Sequence, residues 1–334
     1  MINISTNYAI VYCRVFAMLL IVYYHSICLY AGTWEVFSQE HIEPYHTLAM
    51  ILNDIHLPIF VFLSGLLYCY GVNKGRYTNT MSFINKKLLR LIIPYMFWGV
   101  GMILVFPSWY KPYDLFIGIG HLWFLMMLFL VFLIMAFVHK IWLRVPMYGQ
   151  MLIILFFFVF SRLVWNLGID VSWENDYLTY LLVLTYIPIF LWGMTVASNN
   201  LYDKLKNWTL PQLLIVLIIS FLLIVIINIV NPPLKVIYYS IPICMLLLFL
   251  YTIVWKRWGA IIPSKILTNL NDYSMGIYII HHILIWWLID NLGAAVLSHD
   301  IIAHFVIFIV SLAVSYCVCS LFMRFRYTKY LIGS

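Results

Sequence analysis

Apolar runs about 20 residues long recur from one end of this chain to the other. A helix needs about 20 mainly apolar residues to cross the hydrocarbon core of a bilayer. Ten stretches meet that need: 8–30, 48–70, 89–106, 115–138, 147–164, 177–197, 211–230, 236–255, 274–292 and 300–322. Of the 334 residues 65% are hydrophobic and only 9% are charged, against roughly 25% charged in an ordinary soluble domain. So few polar side chains cannot skin a water-soluble globule. The pattern predicts an all-α integral membrane protein of about ten transmembrane helices. Residues 1–334 form a single membrane-embedded domain in this reading, with no appended soluble domain. Pro188 and Pro242 fall inside the sixth and eighth spans, where neighbouring helices can satisfy the freed carbonyls.

Charge sets the expected orientation. Of 19 basic residues, 15 fall at one side of the ten-span arrangement, including Lys74, Arg76, Lys86, Lys87, Arg90 and the tail residues Arg324, Arg326 and Lys329. The other side holds Lys111, Arg162 and Lys235 and collects Glu35, Glu40, Glu43, Asp170, Glu174, Asp176 and Asp300. Positive-inside sorting therefore predicts cytoplasmic termini; the expected location is the cell's inner (cytoplasmic) membrane, as a multi-pass protein. The same dispersal argues against nucleic acid as a partner, because the cations form no stripe with interleaved aromatics. Six cysteines, at 13, 28, 69, 244, 317 and 319, lie in apolar runs without CxxC spacing. They predict neither a disulfide framework nor a metal site. The first run contains Arg14 and His25 and lacks a small-residue cleavage site, so it is expected to be retained.

Ionisable groups inside spans are costly unless they face protein or a water-filled cavity. Arg14 and His25 lie eleven residues apart, close to three turns, so they share one face about 16 Å apart along the axis. Singly, a snorkelling arginine and a packing histidine would explain them; together they favour a functional axis across the membrane. The second span opens through Asp54, His56 and Pro58, where Asp54 would orient an imidazole or simply be wetted at the interface. Ser64-Gly65 is better explained by close helix packing than by a nucleophile motif. The fourth span opens with His121 and Trp123, suited to a sugar or to an interfacial belt. Ser274, Tyr278 and His281 share a face of the ninth span, while His282 points about 100° away. Lys86, Lys87 and Arg90 stand at the basic mouth, as topology signals or a phosphate site.

These residues resemble a known pattern. Arg14 and His25 are similar to the Arg-x10-His signature of the membrane-bound acyltransferase-3 family. The resemblance continues in order through His56–Leu67, Lys86–Trp98, His121–Leu125 and Ser274–His281. The His-x-Pro opening of the second span is similar to members resembling fucose O-acetylases. Two features depart from the pattern. Lys87-x-x-Arg90 replaces the Arg-x-x-Arg of many relatives, losing bidentate geometry at the first position. The chain also ends at Ser334 without the extracytoplasmic hydrolase-like domain many relatives carry, so it resembles the stand-alone members.

The resemblance implies transfer of an acyl group, most often acetyl, from cytoplasmic acyl-CoA to a sugar hydroxyl. The acceptor would be a surface glycan or its lipid-linked precursor. Acetyl-CoA would be the donor substrate, with no metal. Arg14, Lys86, Lys87 and Arg90 would hold the donor phosphates, and His25 would be the general base. Asp54, His56, His121, Trp123, Ser274, Tyr278 and His281 would line the pocket or meet the acceptor. Tyr278 and His121 are the candidates for stabilising an oxyanion. The rival reading is a transporter of a glycan or small solute, which intramembrane charges permit; no inverted repeat supports it.

Overall fold

The computed structural model describes residues 8–33, 42–77, 79–166, 178–230, 235–292 and 297–334. Among them every regular element is helical and none is a strand, as a chain that must satisfy its backbone polar groups within lipid requires. The helices are α1 (Ala9–Ala31), α2 (Glu43–Asn73), α3 (Thr80–Lys87), α4 (Ile93–Val105), α5 (Asp114–Ile117) and α6 (Trp123–Trp142). They continue as α7 (Met147–Asn166), α8 (Leu178–Ser198), α9 (Leu201–Lys204), α10 (Leu210–Val230), α11 (Lys235–Trp258), α12 (Lys265–Asn291) and α13 (Asp300–Phe322).

Among the described residues, nine helical stretches are long and apolar enough to cross a membrane. The predicted ninth span is the exception by composition, although α12 is a continuous helix of 27 residues. Its paired histidines and terminal Asp290-Asn291 lower its hydropathy, and it starts nine residues earlier than expected, at Lys265. The second span is also longer than predicted. Helix α2 begins at Glu43, where Pro44 suits the first turn, and runs to Asn73. The expected connection 71–88 therefore shrinks to residues 74–79. The acidic residues expected at 35, 40, 170, 174 and 176 lie outside the described residues.

Helix α2 is central and packs against α1 and α8. Small residues permit the close approach to α8. A Cβ on Gly65 would stand 2.0 Å from the Phe190 carbonyl oxygen, and one on Gly193 would stand 2.1 Å from that of Phe62. Phe62, Leu66 and Phe190 are buried at this seam. Helix α1 packs on its other side against α12, which in turn packs against α13. The outer helices α7, α10 and α13 leave apolar residues such as Phe156, Ile215 and Ile309 exposed, the face expected toward lipid.

Between α3 and α4 the helix widens into a π turn, Leu88–Ile92. Pro94 lacks the N–H that would bond the Arg90 carbonyl and its ring crowds that carbonyl, which the wider turn accommodates. The chain end folds back against this turn. Ile332 is fully buried, Trp98 Nε1–H donates to the Leu331 carbonyl at 2.7 Å, and Arg90 Nε–H donates to the Gly333 carbonyl at 3.2 Å. Gly333 takes a positive φ of 72° beside the Arg90 backbone.

Candidate functional site

At the basic end of the bundle lies a cavity of ≈ 450 Å³. Arg14 of α1, Arg76 after α2, Lys87 of α3 and Arg90 of the π turn line it, against one side-chain carboxylate, that of Asp272. Arg14 donates to Asn271 Oδ1 of α12 at 3.1 Å, so it is held toward the bundle interior. Lys87 Nζ sits 3.5 Å over the Phe132 ring, a cation–π placement. Tyr77 adds a hydroxyl at the wall; burial raises its pKa above the ordinary phenol range, so it is neutral. Lys86 lies one residue away on the exposed side of α3 and does not join Lys87 and Arg90. Phe60, Phe124, Ser274 and Tyr278 line it as well.

Beyond Tyr278 a cluster of imidazoles fills the centre. His25 Nδ1 and His281 Nε2 stand 2.9 Å apart. His282 meets the His25 ring edge-on at 4.8 Å and stacks on His121 at 4.2 Å. His56 approaches from α2, its ring 4.8 Å from that of Tyr24.

The hydrogen bonds fix the proton positions. Carbonyl oxygens only accept. The ring nitrogens facing them therefore carry the protons: His281 Nδ1 to Ile277 at 2.8 Å, His121 Nε2 to Ile279 at 2.9 Å, and His56 Nδ1 to Leu52. A neutral His281 then has its lone pair on Nε2, so the bond to His25 is donated by His25 Nδ1–H. With both rings neutral, Nε2 is the basic nitrogen of His25. Such a relay fixes the tautomer and orientation of the His25 ring and supports an imidazolium formed on it.

Several expected placements change. Asp54 does not orient an imidazole: its carboxylate takes an N–H from Asn228 at 2.8 Å and pairs with Lys235 Nζ at 3.4 Å. It ties α2 to α10 and α11, because Lys235 is the first residue of α11 and its ammonium finds this carboxylate. Trp123 is buried in packing against Phe124 and Tyr186. Tyr278 and His121 spend their donors on backbone carbonyls, Tyr278 O–H on that of His121 and His121 Nε2–H on that of Ile279. Neither donor is directed to an oxyanion. His282 belongs to the cluster despite its 100° offset, since α12 is buried all round from Gly276 to His282. Arg76, Asn271 and Asp272 also join the site without having been singled out. An Asn-Asp pair at the basic end of a polar helix and a His-His pair in its middle are the signals that mark them. Among the described residues no group of three His, Cys, Asp or Glu is arranged to hold a metal ion.

A cationic cavity at one end of a multi-span helical bundle, with a histidine cluster beyond its Tyr278 wall, defines a membrane protein with ionisable groups gathered inside its spans. The family model for an acyltransferase domain, that of the acyltransferase-3 family, matches residues 7–324. The chain belongs to this family and is a membrane acyltransferase. No curated protein and no solved structure matches it.

Proposed function

We propose that this protein transfers an acetyl group from acetyl-CoA, bound from the cytoplasm, to a sugar hydroxyl of a cell-surface glycan or its lipid-linked precursor. It would do so in the inner membrane, with the basic end facing the cytoplasm. The observation that carries this reading is the course of α1: one continuous helix places Arg14 in the cationic cavity and His25 in the histidine cluster. Four cationic side chains against one side-chain carboxylate suit the diphosphate and 3′-phosphate of CoA. The pantetheine arm, long and thin, would reach past Tyr278 toward His25.

In the reaction His25 Nε2 takes the proton of the acceptor hydroxyl as its oxygen attacks the thioester carbonyl. The tetrahedral intermediate collapses with loss of the C–S bond. The departing thiolate takes the proton back from His25, leaving the ester, free CoA and a neutral imidazole. His281 orients His25 and stabilises its imidazolium through the Nδ1–H bond.

The test is transfer of label from [¹⁴C]acetyl-CoA to surface glycan in nanodiscs containing only this protein. Label on the sugar, released by mild base as acetate, is expected. Folded protein that leaves the sugar unlabelled under these conditions would overturn the reading.

A further inference from the structure

Away from the basic end, α12 carries Trp286 four residues beyond His282, one turn along the same face. The two rings are 5.3 Å apart. Trp286 in turn meets three aromatics of the segment between α4 and α5: Trp109 edge-on at 4.4 Å, Phe106 at 5.7 Å and Tyr110 stacked at 6.4 Å. This segment is laid over the start of the histidine cluster. Gly120, the residue before His121, takes a φ of +46°, and a Cβ there would come within 2.9 Å of the Tyr110 hydroxyl. Burial, with Asp114 nearby, pushes the Tyr110 phenol up to about 12, so its hydroxyl is a neutral donor.

The tier opens outward, from Trp286 at 7% exposed to Trp109 at 39%. A membrane-interface belt accounts for Trp287, 58% exposed and about 100° round α12 from Trp286. It does not account for an indole enclosed between an imidazole and a second indole. A second observation points the same way. His121 is only 6% exposed and its Nδ1 lone pair has no hydrogen-bond partner, because Nε2 carries the proton given to Ile279. A buried acceptor left so is costly, and a ligand hydroxyl would satisfy it. Flat aromatic faces beside an unmet acceptor match a sugar ring, with its apolar C–H face and its hydroxyls.

We propose that Trp109, Tyr110 and Trp286, with Nδ1 of His121, form the acceptor subsite and take a pyranose ring stacked on indole. The subsite rests on the acyltransferase reading above for its role, since it would deliver a hydroxyl to the histidine cluster from the side opposite the donor.

The experiment is saturation-transfer NMR on the full chain in nanodiscs, using methyl glucoside, methyl galactoside and methyl fucoside without acetyl-CoA. At least one glycoside should receive saturation at its ring C–H protons. Its affinity should fall at least tenfold in Trp109→Ala and in Trp286→Ala and hold in Trp287→Ala. Trp109 is half-exposed, so its variant reports even where Trp286→Ala fails to accumulate. Displacement by a polyprenyl-diphosphate-linked sugar identifies a lipid-linked occupant, and displacement by a soluble oligosaccharide alone identifies a polymer end; either supports the subsite. Absence of binding to the unmodified protein, or equal affinity in all three variants, overturns it. Because the donor is left out, binding is read apart from catalysis: glycoside binding here with no transfer in the separate [¹⁴C]acetyl-CoA assay would refute the enzymatic reading and leave the subsite standing. Acyl transfer with an unchanged acceptor KM in Trp109→Ala would remove the subsite alone.

Discussion

His281→Ala should slow acyl transfer without weakening the donor. In the structure His281 anchors its own Nδ1–H on the Ile277 carbonyl and receives Nδ1–H of His25 at 2.9 Å. Two effects vanish with it. The first is the tautomer: without an acceptor for Nδ1–H, His25 no longer prefers the form whose Nε2 is basic. The second is support of the imidazolium in the transition state, where a hydrogen bond to a charged group is worth about 1.5–3 kcal/mol. At 1.36 kcal/mol per tenfold in rate, the second effect alone predicts a fall of roughly 10- to 150-fold. It is smaller than the roughly 10²- to 10⁴-fold loss expected when His25 itself, the proposed base, becomes Ala.

The assay is transfer from labelled acetyl-CoA in nanodiscs, with donor affinity measured separately by equilibrium binding. Affinity for acetyl-CoA should stay within twofold, since the cavity cations lie at the other side of Tyr278. His281→Gln supplies an amide oxygen near the lost Nε2 and should recover part of the rate. A His281→Ala protein that accumulates normally and transfers within twofold of the parent would refute the relay, as would a Gln variant no better than Ala.

Arg14→Ala and Arg90→Gln should each weaken acetyl-CoA binding by about 1.5–3 kcal/mol, the scale of one charge-assisted hydrogen bond, read by isothermal titration; unchanged affinity in both removes the cavity as the donor site. Asp54→Asn leaves Lys235 without its carboxylate and should lower the unfolding temperature while activity per folded molecule stays near the parent value. A specific loss of turnover there would return Asp54 to the chemistry. Gly65→Ala forces a methyl group to 2.0 Å from the Phe190 carbonyl, and the resulting overpacking should cost about 1–3 kcal/mol, measured as reduced thermal stability in detergent. For orientation, a cysteine at Asn79 should resist impermeant thiol reagents in intact cells and one at Lys111 should react; the reverse pattern inverts the bundle.

The spans were legible because apolar length is a local property, and the polar residues within them were legible because lipid penalises each one. Arg14 and His25 fall on one face by helix geometry alone, and the structure keeps them on one helix. What sequence reasoning missed is pairing between distant segments. Asp54 and Lys235 are 181 positions apart, and nothing in either neighbourhood announces that the carboxylate meets an ammonium and Asn228 instead of an imidazole. His282 was set aside by an angular argument that holds for a helix with one buried face. Helix α12 is enclosed on all sides at that level, so a 100° rotation turns the ring from His281's neighbours to His121 without leaving the interior. Lys86 shows the converse. Its charge and position match Lys87, yet one residue of helix rotation leaves it exposed.

The distance between cations and imidazoles has an energetic consequence. At an effective dielectric of 20, a positive charge about 5 Å from a forming imidazolium would cost about 3 kcal/mol, and one about 16 Å away costs about 1 kcal/mol. Three turns of α1 between Arg14 and His25 would therefore let His25 serve as a base beside a cavity with four cations. The residual cost is still additive over Arg14, Arg76, Lys87 and Arg90, and it is present only while the cavity lacks an anion. Under the proposed function a bound donor would supply phosphates that cancel those charges, so the barrier to taking the acceptor's proton would fall with acetyl-CoA in place. The same arrangement that keeps phosphate and base apart would thus make proton removal favour the loaded protein, and would restrain His25 from activating a hydroxyl when there is no thioester to attack.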